Sequence, residues 1–159
     1  MSGAPSGAPS ARAQLAELGI TLPAVATPLA AYVPAVRTGN LVYTSGQLPL
    51  EAGEPTHSGK VGAEVSAEQG KVAARTCALN GLAAIDALVG LDSVVRVVKV
   101  VGFVASAPGF TGQPGVVNGA SELLGEVFGD AGAHARSAVG VTSLPLDAPV
   151  EVELIVEVD

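Results

Sequence analysis

The final segment of the chain, residues 150–158, alternates between apolar and mostly acidic positions. Valine or leucine occupies every second position, and Glu151, Glu153 and Glu157 lie between them. A period of two places alternate side chains on opposite faces of a β-strand. The pattern therefore predicts a strand with one face packed against another layer of structure and one acidic face.

Residues 66–90 carry apolar side chains at the spacing of an α-helix. Ser66 suits the N-cap of this helix and Gly90 ends it. The predicted apolar stripe consists of Val72, Leu79, Leu82, Ile85 and Val89. One face of this helix should cover a sheet.

Two further helices are predicted, one on either side of the first. A second long helix spans residues 116–128 and ends before Gly129. A short helix begins after Ser10, carries Leu15 and ends at Gly19. We expect this short helix to be peripheral.

Four more segments have the composition of strands. Residues 35–37 and 41–45 predict a hairpin around a turn at residues 38–40. Residues 94–104 are dense in β-branched side chains and apolar on both faces, which predicts a central strand buried on each side. Residues 137–141 are predicted to form the strand that precedes the C-terminal one.

The predicted order is hairpin, helix, strand, helix and two strands. An α+β architecture, with two helices packed on one face of a mixed sheet, satisfies this order. Residues 11–159 are expected to form this single domain, after a disordered tail at residues 1–10. Residues 51–62 are expected to be a surface loop with a solvated His57. Because no helix remains for the second face of the sheet, we expect other subunits to cover it.

Composition supports such an association. Hydrophobic residues make up 48% of the chain and charged residues only 14%, so a lone small domain would have difficulty covering its surface with polar side chains. The longest apolar segment, residues 94–105, is interrupted by Arg96 and Lys99 and is too short to cross a membrane as a helix. The N-terminus lacks the basic and apolar regions of a signal peptide. We therefore expect a cytoplasmic protein without a membrane partner.

Charge and residue types exclude several other classes of function. The net charge of −7 repels a phosphate backbone, so nucleic acid is not an expected partner. The single cysteine, Cys77, lies inside a predicted helix and is expected to be a small buried hydrophobe. The sequence contains no metal-ligand cluster, phosphate-binding loop or serine-histidine-acid arrangement. Neither a metal ion nor a cofactor is expected.

The candidate chemistry lies in residues 134–141 and in the strand that follows. Arg136 is flanked by small and apolar residues, and Glu151 lies downstream of it. The planar guanidinium can bind a carboxylate through two parallel hydrogen bonds. An imine derived from an amino acid has an electrophilic carbon next to its carboxylate, so its hydrolysis needs mainly positioning, a water and proton transfers. Glu151 could handle those protons if partial burial raises its pKa.

From Tyr32 to its C-terminus the chain resembles the YjgF/RidA family, also called reactive intermediate deaminases. The resemblance rests, in this order, on Thr38-Gly39-Asn40, Thr44-Ser45-Gly46-Gln47-Leu48-Pro49, Val117-Asn118, Ala135-Arg136-Ser137, Leu144-Pro145 and Val150-Glu151-Val152-Glu153. It implies a chorismate-mutase-like α+β fold of the bacillus type, assembled as a homotrimer with clefts between subunits. The short first helix resembles that of a longer branch of the family, whose members mostly have no assigned function.

The resemblance also implies an activity, the hydrolysis of 2-imino acids such as 2-iminobutanoate and 2-iminopropanoate to 2-oxo acids and ammonia, without a cofactor. Arg136 matches the arginine that holds the substrate carboxylate, and Glu151 matches the glutamate that orients or activates water. The positions that match the lining of the cleft are Tyr32, Ser45, Gly46, Asn118 and Ala138. Ala138 stands where the family commonly has a cysteine, which removes a thiol contact and puts the usual substrate preference in doubt.

Each of these residues also has a purely structural interpretation. Arg136 suits an ion pair at a subunit interface, and Glu151 suits a solvated position on the acidic face of the last strand. Tyr32 could pack its ring, and Gly46 could serve backbone conformation alone. His134 is expected to point to the side opposite Arg136.

Other functions compete with imine hydrolysis. A non-catalytic trimer that binds a 2-oxo acid or a related metabolite would use the same cleft. A nuclease or translation inhibitor is disfavoured by the acidic charge and by the absence of a basic aromatic patch. A chorismate mutase would need several converging cations for its dianionic substrate, whereas the chain has five arginines and only Arg136 lies in a motif.

Overall fold

Five strands and two long helices form the main layers of the molecule. The computed structural model of the chain describes residues 7–28 and 31–159. The helices are α1 (Ala11–Glu17), α2 (Ala67–Val89) and α3 (Gln113–Phe128), and the strands are β1 (Ala35–Thr38), β2 (Leu41–Thr44), β3 (Leu50–Glu51), β4 (Glu54–Pro55), β5 (Val94–Ala105), β6 (Ala135–Val141) and β7 (Val150–Val158). One mixed sheet has the order β1-β2-β7-β5-β6, and α2 and α3 pack on one of its faces. The predicted α+β architecture is confirmed.

The N-terminal helix α1 is tied to the C-terminal end of α2. Ser10 Oγ accepts a hydrogen bond of 3.1 Å from a backbone amide in the first turn, as the predicted N-cap should. Leu15 is buried in the core, and Arg12 forms an ion pair with Asp86 of α2 (2.5 Å). An apolar and a charged contact therefore hold this helix. Of the predicted tail, residues 1–6 lie outside the described residues and residues 7–10 are exposed.

Helix α2 begins with a capping box and buries a face of mostly small side chains. Ser66 Oγ accepts from the Gln69 amide, and the Gln69 side chain accepts from the Ser66 amide. The buried face includes Ala73, Ala74, Cys77, Ala78, Gly81, Leu82 and Ile85. Val72, predicted on the apolar stripe, is 60% exposed, so that prediction is wrong. The helix has the length and apolar composition of a membrane span, but its buried face makes it a core helix in this fold.

Close contact between α2 and α3 depends on Gly119. A Cβ atom at this position would overlap the carbonyl oxygen of Lys71 and lie 3.2 Å from the backbone nitrogen of Arg75. The absence of a side chain lets the two helix backbones approach this closely. α3 itself begins at Gln113, three residues earlier than predicted, with Pro114 in its first turn. The missing N–H of proline is tolerated there because first-turn amides have no partner within the helix.

Strand β5 lies inside the sheet, antiparallel to β7 and parallel to β6. Its predicted central position is confirmed, but its predicted burial on both faces is not found within one chain. Val100 and Val104 are buried under the helices, whereas Val101 and Phe103 are only half-buried on the other side. Among the described residues, no helix packs on this second side, which we term the open face. Apolar side chains exposed on it are Val36, Tyr43 and Val139.

The segment predicted as a surface loop, residues 51–62, contains part of a short hairpin formed by β3 and β4. The buried side-chain amide of Asn80 in α2 donates to the carbonyl oxygens of Leu48 and Leu50 (3.0 and 3.1 Å). These bonds attach the start of the hairpin to the core. His57 is half-buried in the segment rather than fully solvated.

Candidate functional site

Strand register decides on which face of the sheet each candidate residue lies. Val100 of β5 pairs with Arg136 of β6 on one side and with Leu154 of β7 on the other. Directly paired residues share a face, and Leu154 is buried under the helices. Arg136 therefore lies on the helix-covered face. Glu151, three positions from Leu154 in the same strand, lies on the open face opposite Phe103.

Arg136 and Glu151 cannot meet within one chain. They lie on opposite faces, and β5 separates their strands. The structure thus divides the predicted site into two groups of residues, an arginine cluster beside α3 and a glutamate cluster on the open face.

In the arginine cluster, α3 holds the guanidinium of Arg136. Nη1 donates to Asn118 Oδ1 (2.7 Å) and to Ser121 Oγ (3.2 Å), and Nη2 donates to the carbonyl oxygen of Pro114 (3.3 Å). The guanidinium has more N–H groups than these acceptors use, and the residue is only half-buried. Ala138 occupies the next position along β6 on the same face. This cluster can bind a carboxylate in a defined orientation.

The arginine cluster also contains two residues that the sequence did not assign to it. His134 Nε2 lies 2.8 Å from Ser121 Oγ, and His134 Nδ1 lies 2.6 Å from the carbonyl oxygen of Gly132. The expectation that His134 points away from Arg136 is therefore wrong, because residues two apart in an extended segment lie on the same side. Ser121 follows Asn118 by three positions on one side of α3. These two spacings were the available signals.

In the glutamate cluster, the side chain of Glu151 lies directly over Gly46. A Cβ atom at position 46 would overlap the Glu151 carboxylate. Gly46 is not among the glycines with positive φ, so the position needs space for the carboxylate rather than a special backbone conformation. Burial, followed by the charge of Glu153, raises the pKa of Glu151. A carboxylate with a raised pKa is a stronger proton acceptor than an ordinary carboxylate.

Tyr32 and Ser45 lie next to the glutamate cluster. Tyr32 and Gly46 line one small cavity, together with Ala26, Thr27, Pro28, Pro34, Gln47, Leu48 and Leu50. Ser45 Oγ donates to the carbonyl oxygen of Val33 (2.6 Å), so this hydroxyl fastens the segment that carries Tyr32. Tyr32 is 46% exposed and does not belong to the hydrophobic core.

The cysteine of the chain has a structural role. Cys77 is buried, its thiol lies 3.6 Å from the carbonyl oxygen of Val150, and burial raises its pKa. It therefore fills the core as predicted. Within residues 7–28 and 31–159, no group of three or more His, Cys, Asp or Glu side chains is arranged to hold a metal ion.

The chain is similar over most of its length to known proteins. Residues 23–158 match the family model described as Endoribonuclease L-PSP. Protein TCP17 of Trypanosoma cruzi is 47% identical over 149 residues, which cover 92% of this chain and 93% of that protein.

Two solved structures are similar to this chain to different degrees. A protein of unknown function from Agrobacterium tumefaciens is 47% identical with a TM-score of 0.87, covering 94% of this chain and 92% of the other. TdcF of E. coli with bound serine is 26% identical with a TM-score of 0.63, covering 87% and 96%. The fold is shared with both, and the agreement is much closer with the Agrobacterium protein.

Proposed function

The chain belongs to the YjgF/Rid family, and from this premise we propose that it is an enamine/imine deaminase that hydrolyses 2-imino acids to 2-oxo acids and ammonia. One observation carries the proposal. Asn118, Ser121 and the Pro114 carbonyl hold the Arg136 guanidinium, so it is prepared to receive a carboxylate without losing further side-chain freedom. The serine bound by TdcF is an amino acid, which bears the same carboxylate group as a 2-imino acid.

The reaction requires the protein mainly to position the substrate and to transfer protons. With its carboxylate on Arg136, the 2-imino acid presents its C=N carbon to water. Water adds to that carbon while the Glu151 carboxylate takes a proton from it. Return of that proton to nitrogen gives an intermediate with one hydroxyl and one amino group on the same carbon. A second proton then moves from the hydroxyl group to nitrogen through Glu151, so that the C–N bond breaks, the C=O bond forms and ammonia leaves. No oxidant, reductant or cofactor is required for this balance.

The two clusters can act together only if different subunits contribute them. Arg136 and Glu151 lie on opposite faces of one sheet, and the open face exposes Val36, Tyr43 and Val139. An apolar sheet face of this kind is suited to contact with another copy of the chain. We therefore place the site in a cleft of a homotrimer, with Arg136 from one subunit and Glu151 from the next.

The proposed activity can be tested directly with the purified protein. An amino acid oxidase generates 2-iminobutanoate or 2-iminopropanoate, and semicarbazide trapping measures how fast each imine disappears. We expect the protein to accelerate that loss. A rate equal to the uncatalysed background would overturn the proposal. If a 2-oxo acid then still raised the melting temperature, a metabolite-binding role would replace it.

Mixing two inactive variants should restore activity if the site spans two subunits. Arg136→Ala and Glu151→Gln each remove one half of every site. After co-refolding in equal amounts, random assortment would rebuild about a quarter of the sites. The measurement is imine hydrolysis by the mixture relative to each variant alone. A mixture that contains mixed trimers by native mass spectrometry and remains inactive would contradict a shared site.

Glu151→Gln should also abolish the acid limb of the pH profile. Because the pKa of Glu151 is raised by burial and by Glu153, its carboxylate accumulates as pH rises through that value, and kcat/KM should rise with it. The amide cannot accept the proton, so we expect a flat profile about a hundredfold lower. Steady-state assays across the acid range measure both. Glu157→Gln, on the same face of β7, is the matched control and should keep the wild-type rise of kcat/KM with pH. The same rise in Glu151→Gln would refute the role of Glu151 as the proton acceptor.

The raised pKa of Glu151 has an opposite consequence for stability. Unfolding returns the carboxyl group to its lower, ordinary pKa. Its contribution to the free energy of unfolding is therefore complete below the unfolded pKa and lost as pH rises through the folded pKa. Glu151→Gln removes this loss, so its melting temperature relative to wild type should increase as pH rises through that window. A difference that is independent of pH would contradict the linkage.

A further inference from the structure

We propose that Ser121 and His134 are positioning residues that fix the guanidinium of Arg136 for carboxylate binding. The inference rests on the proposed function of Arg136 and extends it to two side chains that do not themselves need to touch substrate. It is carried by a continuous set of hydrogen bonds, from Arg136 Nη1 to Ser121 Oγ (3.2 Å), from Ser121 Oγ to His134 Nε2 (2.8 Å) and from His134 Nδ1 to the Gly132 carbonyl oxygen (2.6 Å).

The direction of each hydrogen bond follows from the groups involved. A carbonyl oxygen only accepts, so His134 Nδ1 carries a proton and donates a hydrogen bond to the Gly132 carbonyl oxygen. A guanidinium only donates, so Ser121 Oγ accepts from Arg136. With a neutral imidazole, Nε2 is then the acceptor for the one proton of the Ser121 hydroxyl. His134 thus holds Ser121 with its lone pair turned toward Arg136.

This set of bonds ends on a rigid part of the backbone. Gly132 is buried in the turn after α3, and a Cβ atom there would overlap the Leu124 carbonyl oxygen. The imidazole is therefore fixed to backbone that packs against α3, the helix that carries Ser121. Asn118, one turn before Ser121, bonds the same nitrogen of Arg136 (2.7 Å). Two side chains of α3 thus hold Nη1 of Arg136, in addition to the Pro114 carbonyl oxygen that holds Nη2, and His134 determines the orientation of the Ser121 hydroxyl.

Such positioning has a distinct kinetic signature. A long arginine side chain loses considerable freedom when it is fixed in one orientation. If the protein fixes it beforehand, substrate binding does not bear that loss. Removing the side chain of Ser121 or His134 should therefore weaken carboxylate binding. The chemical step depends on water and Glu151, so it should continue at a similar rate in the bound complex.

Alanine and conservative variants separate positioning from a general structural role. Ser121→Ala should raise both the KM for the imine and the Kd for 2-oxobutanoate by about tenfold, the loss expected for one hydrogen bond to a charged group. His134→Ala should raise them by about fivefold, with kcat within about twofold in both. Ser121→Thr keeps the hydroxyl and His134→Gln offers an amide oxygen as acceptor, so both should stay near wild type. His57→Ala, at the other histidine, is the matched control. Unchanged KM and Kd in both alanine variants would overturn the proposal.

Nitrogen NMR tests the same inference without any turnover. In the wild type we expect His134 to show a protonated Nδ1 and an unprotonated Nε2, and the Nη signals of Arg136, identified by their absence in Arg136→Lys, to be resolved by slow rotation. Ser121→Ala and His134→Ala should accelerate that rotation. The opposite tautomer, or equal rotation in wild type and variants, would overturn the positioning role. Because this measurement needs neither imine nor 2-oxo acid, it remains decisive even if the deaminase assignment fails.

Discussion

Replacing Arg136 with alanine is expected to lower kcat/KM for 2-imino acids by about a hundredfold or more, since it removes two hydrogen bonds between charged groups. The reason is the loss of the only charged partner that the arginine cluster offers to the substrate carboxylate within the described residues. The fold should survive, because Asn118 and Ser121 are half-buried and can bind water in place of the guanidinium. The measurements are steady-state imine hydrolysis and the melting temperature.

Two further variants make the Arg136 result specific. Arg136→Lys keeps the positive charge but not the planar fork, so its kcat/KM should lie between those of wild type and Arg136→Ala. Arg37→Ala is the matched control, because this exposed arginine lies outside both clusters and donates to the carbonyl oxygens of Gly39 and Asp159. We expect it to keep wild-type activity. If kcat/KM of Arg136→Ala lies within twofold of the wild-type value, Arg136 does not bind the substrate carboxylate and the proposed mechanism is wrong.

Gly119→Ala should have the largest effect on stability, lowering the free energy of unfolding by about 3 kcal/mol. The added methyl group would overlap the Lys71 carbonyl oxygen, which belongs to the backbone of α2 and cannot turn away. Alanine favours the helical state over glycine by about 1 kcal/mol, and the overlap outweighs that gain. Denaturant unfolding at one fixed protein concentration measures the difference.

Gly125→Ala provides the matched control in the same helix. Gly125 is exposed, and nothing lies within 4 Å of a Cβ atom built there. Only the propensity term acts at this position, so the variant should be slightly more stable than wild type. Equal stabilities for Gly119→Ala and Gly125→Ala would show that α2 and α3 do not pack as closely as described.

Secondary structure was predictable wherever a local signal fixed it. The N-caps Ser10 and Ser66, the turn at residues 38–40 and the alternation over 150–158 all predicted elements that the structure contains. Each signal acts through neighbouring residues, by a cap, a turn or a strand period, and does not depend on the rest of the fold.

Helix orientation was less predictable because packing determined it. The spacing of large apolar residues placed Val72 on the buried face of α2, whereas α3 approaches so closely that small residues such as Ala73 and Ala74 occupy that face. Similarly, the early start of α3 depends on Pro114 being accepted in a first turn. Hydrophobicity alone did not indicate either outcome.

The residues of the candidate site were also predictable only in part. Asn118 and Arg136, chosen from sequence, lie in contact. Ser121 was missed because a serine in a helix has no distinctive pattern of its own, and only its three-residue spacing from Asn118 pointed to it. His134 was assigned to the wrong side of its own strand segment, although the two-residue spacing from Arg136 contained the correct answer.

Local pattern and residue chemistry were enough to predict the three helices, the strands of the main sheet, the acidic face of β7 and the α+β order. They also identified the arginine and the glutamate of the candidate site. The position of Arg136 and Glu151 on opposite faces of the sheet, in contrast, follows from the assembled fold. That outcome depends on the pairing of β5 with both β6 and β7, and a shift of one residue in either register would move a side chain to the other face. Strand register is a property of the assembled sheet, and no single strand encodes it.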